Sequence, residues 1–513
     1  MTNDKTINAQ AGGRRRLLRL LLVTVLGAVM GYTYGGEKIP LAEGAGWDGV
    51  VYRDMVMHMD ETYFHGGINA YHMHRVLPFA ATHGLMRAAG VERNHASVLW
   101  ACVWMNVLLV ALSVVFLFRL SALRRWRAHT EVIAFSLMFF NVGVAKLFGY
   151  EPITTDALAL LLSLMAAYYF FAGKTWLLCL TGFVSLMAWP VLAMVVGLLV
   201  ALPRDGVGNY GADVRMPGLD GWLNGLVRGF FVGWIPVAFA LFVVYKFRVH
   251  PELTFPELFI LRPAHGLGLV LASMLSVCIF YWMATAGMRV AWTEVLQRVL
   301  QRRQLVRMAV CGVVFVVSYE ATQYFGGPAI FSAAQQLTQM VHPPVTDILV
   351  FLETPFAYQG IFILLILFLW SDIRREVYGY GIGYFAVMLL GMLFLMDIET
   401  RKLVMLYPFF LVPLMACIDR MRLRAWVPAG CVVVCLLLSC CWYTINIPTL
   451  GAALAADDME VFLQYPAQRY FIFQGPWQSR GSYFLVGTVE LLTAAAFVWC
   501  HRRGLFYRGK RNG

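Results

Sequence analysis

The feature that most constrains this chain is the recurrence of apolar runs of about 18 residues or more, each about the length needed to cross a bilayer. Leu17–Tyr34 and Ser97–Leu120 are two of them. In hydrocarbon every backbone polar group must be satisfied within the protein, so only helices and closed barrels can span. A barrel would show alternating segments of about ten residues, and the sequence has none. The expected fold is therefore all-α, a polytopic integral membrane protein read as one transmembrane domain over residues 1–513. Composition agrees: 14% of the residues are charged, against about 25% in an ordinary soluble domain.

The net charge of +12 does not point to nucleic acid, because no basic, aromatic-interleaved soluble module is present. Lys and Arg sit in short loops at helix ends, where they set orientation by the positive-inside rule. The basic flank Arg14–Arg16 and Arg19 puts the N-terminus in the cytoplasm, followed by an uncleaved first helix. Leu123–Arg127 and Ser371–Glu376 are likewise expected inside. The run Thr175–Leu202 is long for one span and short for two. A break at Trp189-Pro190 makes it a hairpin and keeps the later arginines inside, since proline removes a helical hydrogen bond. With that choice roughly fourteen spans alternate, and both termini are cytoplasmic. The long extracytoplasmic loops are 35–95, 326–359 and 446–481.

The ten cysteines lie mostly in apolar spans and read as small buried hydrophobes. They form no Cys-x-x-Cys pair or Cys/His zinc spacing. No nucleophile elbow and no P-loop sequence occurs.

In this topology the acids sort to one side. Asp48, Asp54, Asp60, Glu61, Glu151, Asp156, Glu257, Asp397 and Glu399 all fall outside or at outer helix ends. The densest group is Gly46–Pro78, GWDGVVYRDMVMHMDETYFHGGINAYHMHRVLP. Asp48 in this stretch has two open readings, a general base for an attacking hydroxyl or an anchor of loop structure. In EPITTD, Glu151 and Asp156 either face a site or accompany a helix capped by Thr154 or Thr155. Arg401 and Lys402 in ETRKLVMLYPF lie on the side disfavoured for positive charge. They either hold a lipid phosphate or diphosphate, or pair with Glu399 and Asp397. Arg75, and the pair Arg469 and Arg480, share that ambiguity. His58, His65, His72 and His74 match no standard metal-ligand spacing and read as loop residues. No cofactor is indicated, although a divalent metal stays open. Trp47, Tyr52, Tyr71, Tyr470 and Trp477 suit either sugar stacking or the interfacial aromatic belt.

The order of these motifs resembles the multi-spanning GT-C glycosyltransferases. It is carried by GWDGVVYRDM, HRVLPF, EPITTDALALLL and ETRKLVMLYPFF, in that sequence and on one side. The resemblance implies a bacterial inner membrane enzyme with its active site on the periplasmic face. The donor would be a polyprenyl-phosphate sugar, and the acceptor a lipid-linked glycan, lipid or protein. Asp48, with Asp54 as the alternative, would be the catalytic acid of the first loop. Arg401, Arg75 and Lys402 would hold the leaving phosphate. Glu151, Asp156, Glu399 and Tyr407 would complete the substrate site. Two other classes stay open: a lipid-linked glycan polymerase or ligase, and a secondary transporter. The absence of Lys and Arg from 326–359 counts against the first. The absence of visible repeats and of midplane charges counts against the second.

Overall fold

The computed structural model describes residues 2–59, 61, 68–204, 218–249, 251–252, 267–326, 347–397, 399–446 and 480–506. Among them the chain is all-helical. Six helices are long and apolar enough to cross a membrane. They include α1 (Thr2–Tyr34, apolar from Gly12) and α4 (His95–Leu123), and the other four are Gly218–Val249, Leu267–Thr285, Arg302–Tyr324 and Tyr483–Arg502. A seventh candidate is a bent pair, α5 (Ala128–Phe139) followed by Gly143–Tyr150, with 53° between the halves. Five further apolar helices are shorter, so by length and composition six helices, or seven spans with the bent pair, qualify. Before α4 lie the short helices α2 (Gly49–Met57) and α3 (Val76–Ala88), with the single turn Ala70–Met73 between them.

The run 175–202 is two helices, α7 (Thr175–Ser185) and α8 (Pro190–Ala201). Pro190 stands at the first position of α8, where its missing N–H costs nothing. Gly182 on α7 has Val196 of α8 so close that a Cβ would lie 2.7 Å from it. Between α5 and α7 runs α6 (Asp156–Phe171).

The main core joins α1, α4, α5, α6 and α8 to two later helices, α9 (Ile382–Phe394) and α10 (Tyr407–Arg420). On α1, Leu22, Leu26 and Met30 repeat every four residues and are buried, while Leu17, Leu20 and Leu21 stand exposed. On α4 the exposed residues include Trp104, Leu108 and Leu112. Such faces are costly in water and natural in hydrocarbon, the mark of a membrane protein.

The break after α5 frees backbone groups, and neighbouring helices satisfy them. Thr33 Oγ1 donates to the Ala145 carbonyl at 2.7 Å, and the Tyr34 hydroxyl to that of Val144 at 2.7 Å. Asn141 Oδ1 accepts from Val144 N at 3.0 Å. Asn106 on α4 donates to the carbonyls of Phe148 and Pro152, each at 2.9 Å. These bonds fix the segment that carries Glu151.

One end of the bundle gathers the basic loops. Arg15 and Arg19 both pair with buried Glu131. Arg124 reaches Glu376 at 3.7 Å, and Arg127 reaches Asp419 at 4.0 Å. The Arg124 guanidinium also lies 4.7 Å from the Phe171 ring, at the last residue of α6. Asp156 is the first residue of that helix, so α6 separates it from the basic end by about 24 Å. Three loops expected on one side from their charge thus share one end.

Asn106→Leu tests the support of the break. It leaves two buried carbonyls without donors, a loss of about 1–3 kcal/mol. The thermal midpoint in detergent should fall by several degrees; an unchanged midpoint would mean these bonds carry no stability.

Candidate active site

Asp48 starts α2, yet its side chain makes no capping bond to that helix. The chain reaches this point through an unusual approach. Gly46 has φ +79°, and a Cβ there would lie 2.4 Å from Glu151 Oε1. Only glycine lets the loop backbone pass so close to that carboxyl. The Asp48 carboxylate is then held from the segment after the first helices: Tyr71 donates its hydroxyl to Oδ2 at 3.2 Å, and His72 Nε2 lies 3.6 Å from Oδ1. Arg75 follows Tyr71 by four residues, close enough for its side chain to fold back on that residue. Arg75 donates Nη1 to the Tyr71 carbonyl at 2.7 Å, and its guanidinium lies 3.9 Å from the centre of the Tyr71 ring. Trp189, at the break before α8, approaches it at 5.5 Å. Among the described residues Arg75 forms no ion pair with a carboxylate.

Arg401 has a different setting. Its Nε donates to Glu399 Oε2 at 3.1 Å, while Nη1 lies 3.6 Å from Glu151 Oε2 and 3.9 Å from Asp156 Oδ2. Lys402 pairs with Asp397 at 3.0 Å, and Asp397 also accepts from the Glu399 N–H at 3.0 Å. Of the two readings open for Arg401 and Lys402, the ion pairs are the contacts present. The capping alternative for Thr155 is not realised, because its side chain bonds nothing in α6. A cavity of about 20 Å³ lies behind Arg401, lined by Asn141, Glu151, Asp156, Tyr358, Arg401 and Tyr407 among others. It has room for about one water. Tyr407 is buried at the start of α10.

Asp54 stands apart. It is part-exposed and pairs with Arg53 at 3.1 Å, and no contact joins it to Asp48. Six residues along a helix amount to about 240° of rotation past a full turn, which turns it away from Asp48. His58 contacts Glu61 at 4.0 Å on the exposed side. His74 lies 2.9 Å from Thr322 Oγ1. Asp60, His65, Glu257, Arg469, Tyr470 and Trp477 lie outside the described residues, as does most of the loops 326–359 and 446–481. No group of three His, Cys, Asp or Glu is placed to hold a metal ion among the described residues.

The electrostatics divide the acids. Burial opposes the Asp48 carboxylate, but the His72 ring, Arg401 and Arg75 outweigh it and hold its pKa down at about 2. Burial likewise opposes ionised Glu399, where Lys402 and Arg401 prevail and lower its pKa. At Glu151 burial prevails over Arg401, and the pKa is pushed up to about 7. Five carboxyls share this site with three Lys and Arg side chains, so one group that holds its proton near neutrality is the expected outcome.

Sequence reasoning missed His72. It also missed Lys146 and Glu37, which pair at 3.1 Å beside the break, with Glu37 accepting from the backbone of Ile445 and Asn446. The spacing of Tyr71, His72 and Arg75 within one turn was the available signal for His72. For Glu37 and Lys146 there was none, since their partners meet only through packing. Comparison with protein-family models, curated proteins and solved structures finds no match.

Glu151 makes stability depend on pH. Its folded pKa of about 7 lies above its ordinary 4.5. Between these values the unfolded chain has lost the proton that the folded one keeps, so stability falls as pH rises from about 4.5 to about 7, by at most about 3 kcal/mol. Glu151→Gln should flatten that decline in thermal unfolding measured across pH 4.5–8. An unaltered slope would exclude Glu151 as its source.

Proposed function

We propose that this protein is a membrane glycosyltransferase of the GT-C kind, transferring a sugar from a polyprenyl-phosphate donor to a lipid-linked glycan or other extracytoplasmic acceptor. The observation that carries the reading is the Asp48 carboxylate. It is part-open, with 37% of its side chain exposed, and it sits beside unpaired Arg75 at the end of the bundle away from the basic loops. A base beside a cation is what an inverting transfer from a phosphate leaving group requires. Asp48 takes the acceptor proton as the hydroxyl attacks the anomeric carbon, and the sugar–phosphate bond breaks on the opposite face. The departing phosphate gains negative charge, and the Arg75 fork suits it. Arg401 and Lys402 favour the ionised form of Glu399 and hold Glu151, Asp156 and Asp397 in place. Glu151, Asp156 and Glu399 shape the side where the sugar or acceptor binds.

The reading extends to the membrane. Six long apolar helices, the bent pair, the five shorter helices, Ile361–Phe368 and α10 together make fourteen membrane segments. Both termini are then cytoplasmic, and the site faces the periplasm of a bacterial inner membrane. The basic loops gathered at the far end support this orientation.

Asp48→Asn keeps the shape of the side chain and removes the base. Transfer should fall on the order of a hundredfold to ten-thousandfold, with the thermal midpoint near wild type. The measurement is mass spectrometry of surface glycans and lipid-linked intermediates with and without the protein. Loss of one sugar increment in cells bearing the variant supports the reading. Full transfer by the variant removes Asp48 as base, and unchanged glycans with altered uptake of a solute point to a transporter.

A further inference from the structure

Asp48 presents a chemical difficulty. The cations that keep it ionised also make it a weak base, so a proton taken from an acceptor hydroxyl does not rest well on it. The neighbouring ring offers a place. His72 is buried, and Asn69 Oδ1 lies 3.0 Å from both its backbone N and its ring Nδ1. The backbone N–H can only donate, so the group facing it is the carbonyl oxygen of Asn69, not the amide nitrogen. The ring Nδ1 facing that same oxygen must also carry a hydrogen. The only ring position at which a proton can come and go is then Nε2. That atom is buried, has no hydrogen-bond partner among the described residues, and lies 3.6 Å from Asp48 Oδ1.

We infer that His72 is a positioning residue that acts through Asp48, receiving at Nε2 the proton that Asp48 takes from the acceptor. The inference rests on the glycosyl-transfer reading above. As the acceptor oxygen bonds to the anomeric carbon, its proton passes to Asp48 Oδ1. The electron pair of the breaking sugar–phosphate bond leaves with the polyprenyl phosphate. The proton then moves from Oδ1 to Nε2, giving an imidazolium that keeps its Nδ1–H on Asn69. After product leaves, it returns through Asp48, the more exposed member of the pair, to water. Around the ring stand Asp48 and Tyr52 from α2, with Tyr52 edge-on at 5.3 Å, and Tyr71 and Asn69 from its own segment, with Tyr71 edge-on at 5.0 Å. Arg75 and Arg401 act on Asp48 itself.

The first test needs no substrate. In the full-length protein labelled with ¹⁵N-histidine, the His72 ring is assigned by comparison with His72→Gln. Above its titration it should carry hydrogen on Nδ1 alone, and Asn69→Ala should move that hydrogen to Nε2. A wild-type ring with hydrogen on Nε2 alone overturns the proposal. The second test uses membrane vesicles carrying their own lipid-linked sugars. Wild-type transfer should rise with pH through the ring titration and then level. In His72→Gln the rate should be lower, on the order of a hundredfold, and the rise should disappear. Transfer that falls with rising pH would make the imidazolium the working form and overturn the relay. Asp48→Asn separates the two ideas: if it retains transfer, the base assignment fails whatever the tautomer; if it is inactive while His72→Gln matches wild type, only the relay fails.

Discussion

Arg401 is the charge on which the end of the bundle opposite the basic loops depends. It lies among Glu399, Glu151 and Asp156, and so joins the segment before α10 to the break after α5 and to the first turn of α6. A buried cation without partners is costly, and buried carboxylates without a cation equally so, hence each holds the other in place. The position of Asp48 follows from this. Its loop is pressed against Glu151 through Gly46, and Glu151 is itself held by Arg401 and by the Asn106 bonds that anchor its segment. The site is therefore built on helix ends whose positions the apolar core sets, and the ionic contacts refine them.

The break that carries Glu151 shows how such a site can exist in an apolar surrounding. A helix cannot stop near hydrocarbon unless its freed carbonyls find donors. Thr33 and Tyr34 from α1, Asn106 from α4 and Asn141 from the break itself supply them. Gly149 lets Tyr34 pack directly against the backbone, where a Cβ would lie 2.3 Å from the ring. The same polar side chains that permit the break also make it rigid. A rigid break is a better platform for charged groups than a mobile loop.

Charge is arranged with different purposes at the two ends. At the basic end, Glu131, Glu376 and Asp419 sit beneath arginines in pairs that staple helices together. At the other end the carboxyls outnumber the cations, and one arginine, Arg75, stacks on aromatic rings in place of pairing with an acid. The first arrangement is satisfied within itself. The second leaves Arg75 without a carboxylate partner among the described residues, near a part-exposed Asp48.

The amino-acid sequence alone determined the helical class, the membrane setting, the hairpin at Trp189-Pro190 and the grouping of the basic loops. Each of these rests on a local property: hydropathy over one span, a missing N–H, or charge beside a span. It also singled out Asp48, Glu151, Asp156 and Arg401 as residues at outer helix ends. Only the tertiary structure decided which of them meet. Asp54 resembles Asp48 in type and neighbourhood, yet it turns toward Arg53 and solvent. His72 reads as one of several loop histidines, yet it faces Asp48. Arg401 reads either as a phosphate contact or as a partner of its chain neighbours Glu399 and Asp397, yet Glu151 and Asp156 from distant segments also surround it. Local pattern sets what each segment becomes. Which helix ends are brought together is set by packing between segments distant in the chain, and no short stretch of sequence contains that information.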